Sequence, residues 1–171
     1  KSGEEAVGSM GTDTPLAVFS NKSPLVYNYF KQLFAQVTNP PIDSIREDMV
    51  MSVESYIGSE QNLLDETPRH ARLLKLQCPV LTDLELARIR HASVKDFSAK
   101  TLTMHFSEGE GENKLEASLE ALCHQASKAV SQGHNIIVLS DRGVGIERVP
   151  IPALLATSAV HHHLIREGTR T

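Results

Sequence analysis

The chain has 171 residues, 40% of them hydrophobic and 22% charged, which is enough for a soluble domain with a real core. A formal net charge of -4 and a pI near 6.1 argue against a nucleic-acid surface, which would carry a basic patch or stripe. No apolar run approaches the roughly 20 residues that cross a bilayer, and with 5% aromatics and no Trp the core must be mainly aliphatic.

The opening KSGEEAVGSMG lacks the basic-then-apolar order of a secretory leader, so the chain reads as cytosolic. Residues 1–22 show little periodicity beyond a short apolar run at 16–19 that suits a buried strand. Ser23 and Pro24 then form a helix start, a capping hydroxyl before a proline at the first helical position. Val26, Tyr29, Phe30, Leu33, Phe34 and Val37 follow at helical spacing, and Asn39, Pro40 and Pro41 stop the run. Asp43 is placed to cap a shorter helix through Met49, and residues 58–79, rich in Glu, Asp, Arg and Gln, read as irregular surface chain. Thr82 with Glu85 makes a capping box for a helix to about Arg90.

From Lys100 the pattern turns regular. Leu102, Met104 and Phe106 alternate with Thr101, Thr103 and His105, the period of a half-buried strand, and SEGEGEN at 107–113 is a solvated connector. Leu115, Leu119, Leu122, Cys123, Ala126, Ala129 and Val130 mark one face of a helix that ends near Gly133. Ile136, Ile137, Val138 and Leu139 are a continuous apolar strand, expected to be buried on both sides as in a parallel sheet. Arg142, Gly143, Val144 and Gly145 turn the chain into a helix from about Pro152 to Glu167, stopped by Gly168. Strand, helix, strand, helix is the βαβ order of an α/β fold with parallel pairing; residues 99–171 form this βαβα part and residues 1–98 an irregular and helical part of the same segment.

Three features could carry chemistry. Asp141, Arg142, Gly143, Val144 and Gly145 follow the carboxyl end of a strand, where α/β sheets place ligands, so an independent module could bind a small phosphate or nucleotide at 141–145. The loop lacks the Gly-x-Gly-x-x-Gly and P-loop patterns, and Pro150 and Pro152 remove nearby donors; a plain turn, held by Asp141 to Arg142 or to backbone, is the favoured reading. His161, His162 and His163 point about 100° apart on a helix and cannot converge on one metal; one should pack or hydrogen-bond beneath the sheet while the others face outward. Cys78 and Cys123 have no close partner for a zinc or iron–sulfur motif and are expected to stay reduced, Cys123 as a small buried residue. No nucleophile arrangement is supported by spacing, and no catalytic, cofactor or metal residue is assigned.

Residues 140–170, SDRGVGIERVPIPALLATSAVHHHLIREGTR, strongly resemble the central domain of the glutamate synthase large subunit. GSMGTDTPLAVFS at 8–20 and YNYFKQLFAQVTNPPIDSIREDMVMS at 27–52 support the same resemblance. It implies a segment of a reduced, barrel-like domain in an oxidoreductase that turns glutamine and 2-oxoglutarate into two glutamates. It further implies amidotransferase and flavin-binding domains of the same parent chain as partners, with FMN and an iron–sulfur cluster held outside this segment, and a small reductase subunit as a further partner. The segment would link and orient those domains and help form the ammonia path, and would be inactive alone. By composition the polar, Gly- and Pro-punctuated stretches at 9–15 and 36–41 fit either plain loops or a domain contact; the resemblance implies the second and puts Ser9, Thr12, Asp13, Thr14, Thr38 and Asn39 at that path or a domain interface. The wording of the match is closer to the bacterial pyridine-nucleotide-linked type than to the ferredoxin-linked one.

Overall fold

The computed structural model describes residues 15–30, 43–92, 94–107 and 113–170. The chain divides into two units, Lys1–Ser52 and Val53–Thr171.

In the first unit the apolar run at 16–19 is a 3₁₀ turn, Ala17–Phe19, and not the expected buried strand: Leu16, Val18 and Phe19 are exposed. Helix α1, Val26–Tyr29, begins after Leu25, which makes no side-chain cap, so Ser23 and Pro24 precede the helix without starting it. The remainder of the expected helix and its Asn39, Pro40 and Pro41 stop lie outside the described residues. Helix α2, Ser44–Val50, starts at the anticipated cap: the Asp43 carboxylate accepts from the amides of Ile45 and Arg46 at 3.1 and 2.9 Å. Two donors that a helix start leaves without intrahelical partners are thereby satisfied.

The second unit opens with an antiparallel pair that composition concealed. Strand β1, Ser55–Ile57, pairs with β2, Leu74–Leu76, with Tyr56 opposite Lys75. Residues 58–79 are therefore not wholly irregular; they hold a 3₁₀ turn, Pro68–Ala71, and a strand. Gly58 ends β1 at φ +146, where an added Cβ would stand 3.0 Å from Leu73 Cδ2 and 3.3 Å from the Arg72 carbonyl, so only glycine fits without strain. Helix α3, Asp83–Arg90, carries the anticipated capping box in full.

The βαβ portion is α/β with parallel pairing, and among the described residues it forms small sheets and no closed barrel. Strand β3, Ala99–Thr103, pairs in parallel with β5, Ile136–Ser140, Leu102 opposite Leu139. The apolar alternation at 102–106 is not one strand: Met104 interrupts it, and β4, His105–Ser107, pairs antiparallel with β6, Arg148–Pro150. Met104 serves both ladders, its N–H donating to the Ser140 carbonyl and its carbonyl accepting from Ile151, each at 2.9 Å. Side-chain alternation runs on through the switch, which is why the sequence read as a single strand.

Helix α4, Lys114–Ser131, joins the two parallel strands, and helix α5, Ala153–Arg166, follows β6. The helices pack on each other, α4 also against β3 and β4, and α5 against β5. Leu102, Met104, Leu122, Cys123, Ala126, Ile151, Ala156, Val160 and Leu164 form the buried cluster between them. Gly133 and Gly168 take positive φ just beyond the two helices, as expected of their stops. Ile136, Ile137, Val138 and Leu139 are half-buried, not sealed on both sides. Among the described residues β5 has β3 as its one hydrogen-bonded neighbour, so the main-chain groups of Ile137 and Leu139 alternate toward an open edge. No described helix is long and apolar enough to cross a membrane.

Candidate functional site

The turn at 141–145 sits at the carboxyl end of β5, where three elements meet. His105, first residue of β4, sets Nε2 2.8 Å from the Asp141 carbonyl. A carbonyl only accepts, so Nε2 carries the proton of this bond. Arg142 donates from Nη2 to Asp83 Oδ1, 2.5 Å away at the start of α3. The Arg142 amide donates to Ser140 Oγ at 3.3 Å, and Gly145 and Arg148 exchange two main-chain bonds of 3.1 Å.

A phosphate cradle needs converging amides with open valences. Here the Arg142 and Gly145 amides are already engaged, and the Arg142 guanidinium is turned to a carboxylate. The arrangement is a braced turn. Its partners differ from those expected, since Arg142 pairs with Asp83 and not with Asp141. Asp83 could not be foreseen there, because it lies 59 positions away in sequence.

The three consecutive histidines diverge. His163 faces α4: its Nε2 is 2.9 Å from Ser127 Oγ and 3.2 Å from Glu167 Oε1, and its ring meets His124 edge-on at 5.8 Å. Ser127 donates in turn to Glu167 Oε2 at 2.7 Å. His161 accepts from Arg170 Nε at 3.1 Å, while His162 is exposed. One histidine thus hydrogen-bonds inside the fold as expected, but between helices and not beneath the sheet.

Ser127, His163 and Glu167 have the residue types of a hydrolytic triad without its geometry. One imidazole nitrogen meets both the hydroxyl and the carboxylate, so no second nitrogen is oriented by an acid. The cluster ties two helices together. Sequence reasoning missed it, although His163 and Glu167 at i, i+4 and a serine beside the Cys123 and Ala126 face were a usable signal. A second overlooked clasp joins the starts of the parallel strands. The Ser98 amide donates to Asn135 Oδ1 and its hydroxyl lies beside His134 Nδ1, both at 2.8 Å, and Asn135 Nδ2 donates to the Asp96 carbonyl.

Cys78 is an exposed free thiol, and Cys123 is buried in α4, where desolvation pushes its thiol up. An iron–sulfur cluster takes several converging thiolates. One surface cysteine and one core-facing cysteine do not fit that group, and a turn whose Arg142 and Gly145 amides are already engaged does not fit a flavin phosphate. Ser9, Thr12, Asp13, Thr14, Thr38 and Asn39 lie outside the described residues.

The family model for the glutamate synthase central domain matches residues 1–171. The chain is 45% identical over 171 residues to the glutamate synthase [NADPH] large chain of Bacillus subtilis, covering 100% of this chain and 11% of that protein. Ferredoxin-dependent glutamate synthase 2 of Synechocystis is 45% identical over 98% of this chain and 11% of its own length. Glutamate synthase [NADH] of Schizosaccharomyces pombe is 42% identical over 99% of this chain and 8% of its own. The chain thus spans about a tenth of the length of these curated relatives. Equal identity to the NADPH and ferredoxin proteins gives no support for placing the segment nearer one donor type. Matched from end to end by that model, and along nearly its whole length by relatives named for NADPH, NADH and ferredoxin, the chain belongs to the glutamate synthase central domain family.

Proposed function

We propose that residues 1–171 work as one segment of the central domain of a glutamate synthase that forms two glutamates from glutamine and 2-oxoglutarate in the cytoplasm. The observation that carries this reading is the match along the whole chain to proteins of which it spans only 8% to 11%. The segment's role is to hold an amidotransferase and a flavin-binding domain of the same parent chain in register. FMN and the iron–sulfur cluster reside in those other parts, and a small reductase subunit belongs to the assembly. Two features support a scaffold working among neighbours: the edge of β5 that no described strand covers, and the nearly full exposure of Leu63, Leu64 and Ile146.

Ser9, Thr12, Asp13, Thr14, Thr38 and Asn39 border the ammonia path in this proposal. Ammonia escaping into water at neutral pH becomes ammonium, which has no lone pair to attack a carbonyl, so a sealed route preserves the nucleophile. The test is Thr12→Phe and Thr14→Phe in the parent enzyme, with glutamine consumed and glutamate formed measured together. Ammonia loss, or glutaminase turnover exceeding glutamate formation, is expected. Unchanged stoichiometry in both variants removes these residues from the path.

A further inference from the structure

The connection between β1 and β2 folds back on itself around one imidazole. Asn62 opens a turn in which its carbonyl accepts from the Asp65 amide at 3.0 Å. Its side-chain oxygen accepts from the Leu64 amide, and its side-chain nitrogen donates to Asp65 Oδ2, both at 3.1 Å. His70, in the 3₁₀ turn Pro68–Ala71, reaches back across this turn. Its Nδ1 lies 2.8 Å from the Thr67 carbonyl and its Nε2 3.0 Å from the Asn62 carbonyl.

Carbonyl oxygens accept and never donate. A neutral imidazole has one N–H, so it would press a ring lone pair against one of these oxygens at hydrogen-bonding distance. The imidazolium donates to both. The Thr67 hydroxyl, 3.2 Å from Nδ1, does not remove the conflict. Donating to a bare Nδ1 would satisfy the nitrogen and leave the nearer Thr67 carbonyl facing the same lone pair.

We propose that His70 is a proton-operated clasp: charged, it ties the Asn62 turn to the Pro68–Ala71 turn and holds Leu63 and Leu64 out at the surface; on losing its proton it releases one of the two carbonyls. Both leucines are 90% exposed, so what the clasp controls is the presentation of an apolar pair. The groups that meet the ring are the two carbonyls and the Thr67 hydroxyl. The charged side chains along the connection are Glu60, Asp65, Glu66, Arg69 and Arg72, of which Asp65 is bonded to Asn62 and Arg72 to Asp96. The bond to Thr67 first, and that to Asn62 second, hold the imidazole above its ordinary value, against a smaller opposing desolvation. A raised folded value means the clasp is fully formed below the unfolded value, about 6.5, and is lost as pH rises through the folded one.

Ring ¹⁵N NMR of the 171-residue chain through neutral pH tests this, with His70→Gln identifying the signal. His70 should titrate above the ordinary histidine value, with both ring nitrogens protonated below its midpoint. Protection of the Leu64, Asp65 and His70 amides, with exchange rates corrected for intrinsic base catalysis, should be high below that midpoint and several-fold lower above it, and His70→Gln should be weakly protected at every pH. Titration at or below the ordinary value, or protection in this connection that ignores pH, overturns the clasp. The ring titration decides the question on the unsubstituted chain even where His70→Gln fails to fold.

Discussion

Replacing Leu122 with alanine probes the joint between α4, α5 and the strands. Leu122 is 2% exposed and belongs to the cluster with Leu102, Met104, Val160 and Leu164. Burial of this kind makes Leu→Ala cost about 2–5 kcal/mol, the spread reflecting how far the site collapses into the void. Here the walls come from two helices and a strand that brace one another, so collapse is limited and about 3–4 kcal/mol is expected. With a urea m-value of about 1–3 kcal/mol/M, the midpoint should fall by roughly 1–4 M at unchanged m. The chain has no Trp, so far-UV circular dichroism of the helices is the suitable probe. Leu63→Ala is the matched control: it removes the same atoms at 90% exposure and should change stability by less than about 0.5 kcal/mol. Equal midpoint shifts in the two variants would refute the assignment of the core.

Thr82→Ala should destabilise α3 by about 1 kcal/mol, read as a loss of protection in its first turn by hydrogen exchange. The Glu85 carboxyl is held below its ordinary value, chiefly by the Thr82 amide and then by the Thr82 hydroxyl. A depressed folded value gives stabilisation that is present above the unfolded value and lost as pH falls through the folded one, so the first turn of α3 should loosen below the ordinary glutamate range, and Thr82→Ala should weaken that acid dependence. Gly58→Ala should cost more than about 1 kcal/mol in urea unfolding, because it combines a positive φ with a close approach to Leu73 and the Arg72 carbonyl; a neutral result would mean that β1 leaves its pairing with β2 at low cost.

Local chemistry was legible where a single side chain decides it. Asp43, the Thr82 and Glu85 box, and the glycines after α4 and α5 act within four residues of their partners, and each terminus fell where the sequence placed it. The long apolar stripe of α4 was equally plain, for the packed helix face repeats over five turns. The misreadings share a cause. The apolar run at 16–19 has strand composition, yet no strand among the described residues meets it, and hydrogen bonds from Phe19 and Ser20 back to Leu16 and Ala17 close it into a 3₁₀ turn. Strands β2 and β6 are three residues each, too short to show a period, and their pairing with β1 and β4 is invisible without the fold. The break at Met104 leaves alternation intact and changes only the hydrogen-bonding partner, which composition does not encode. The candidate turn at 141–145 was legible as a turn; its braces, His105 and Asp83, are set by tertiary approach.

Those braces bear on the proposed role more directly than any reactive group would. The 141–145 turn cannot shift alone: Asp141 is bonded to β4 through His105, Arg142 to α3 through Asp83, and Gly145 to the start of β6. Met104 couples the parallel pair to the antiparallel pair through one residue, so β3, β4, β5 and β6 share a continuous hydrogen-bonded path. On the helix side, a cluster of buried apolar residues joins α4 to α5, and the Ser127, His163 and Glu167 contacts tie the same helices near their carboxyl ends. The exposed ion pair of Arg142 and Asp83 adds little energy by itself. Its contribution is geometric, fixing α3 to a strand end that the rest of the network already immobilises. A domain proposed to keep two others in register works by resisting displacement, and here the polar side chains that first invite a catalytic reading are spent on that resistance.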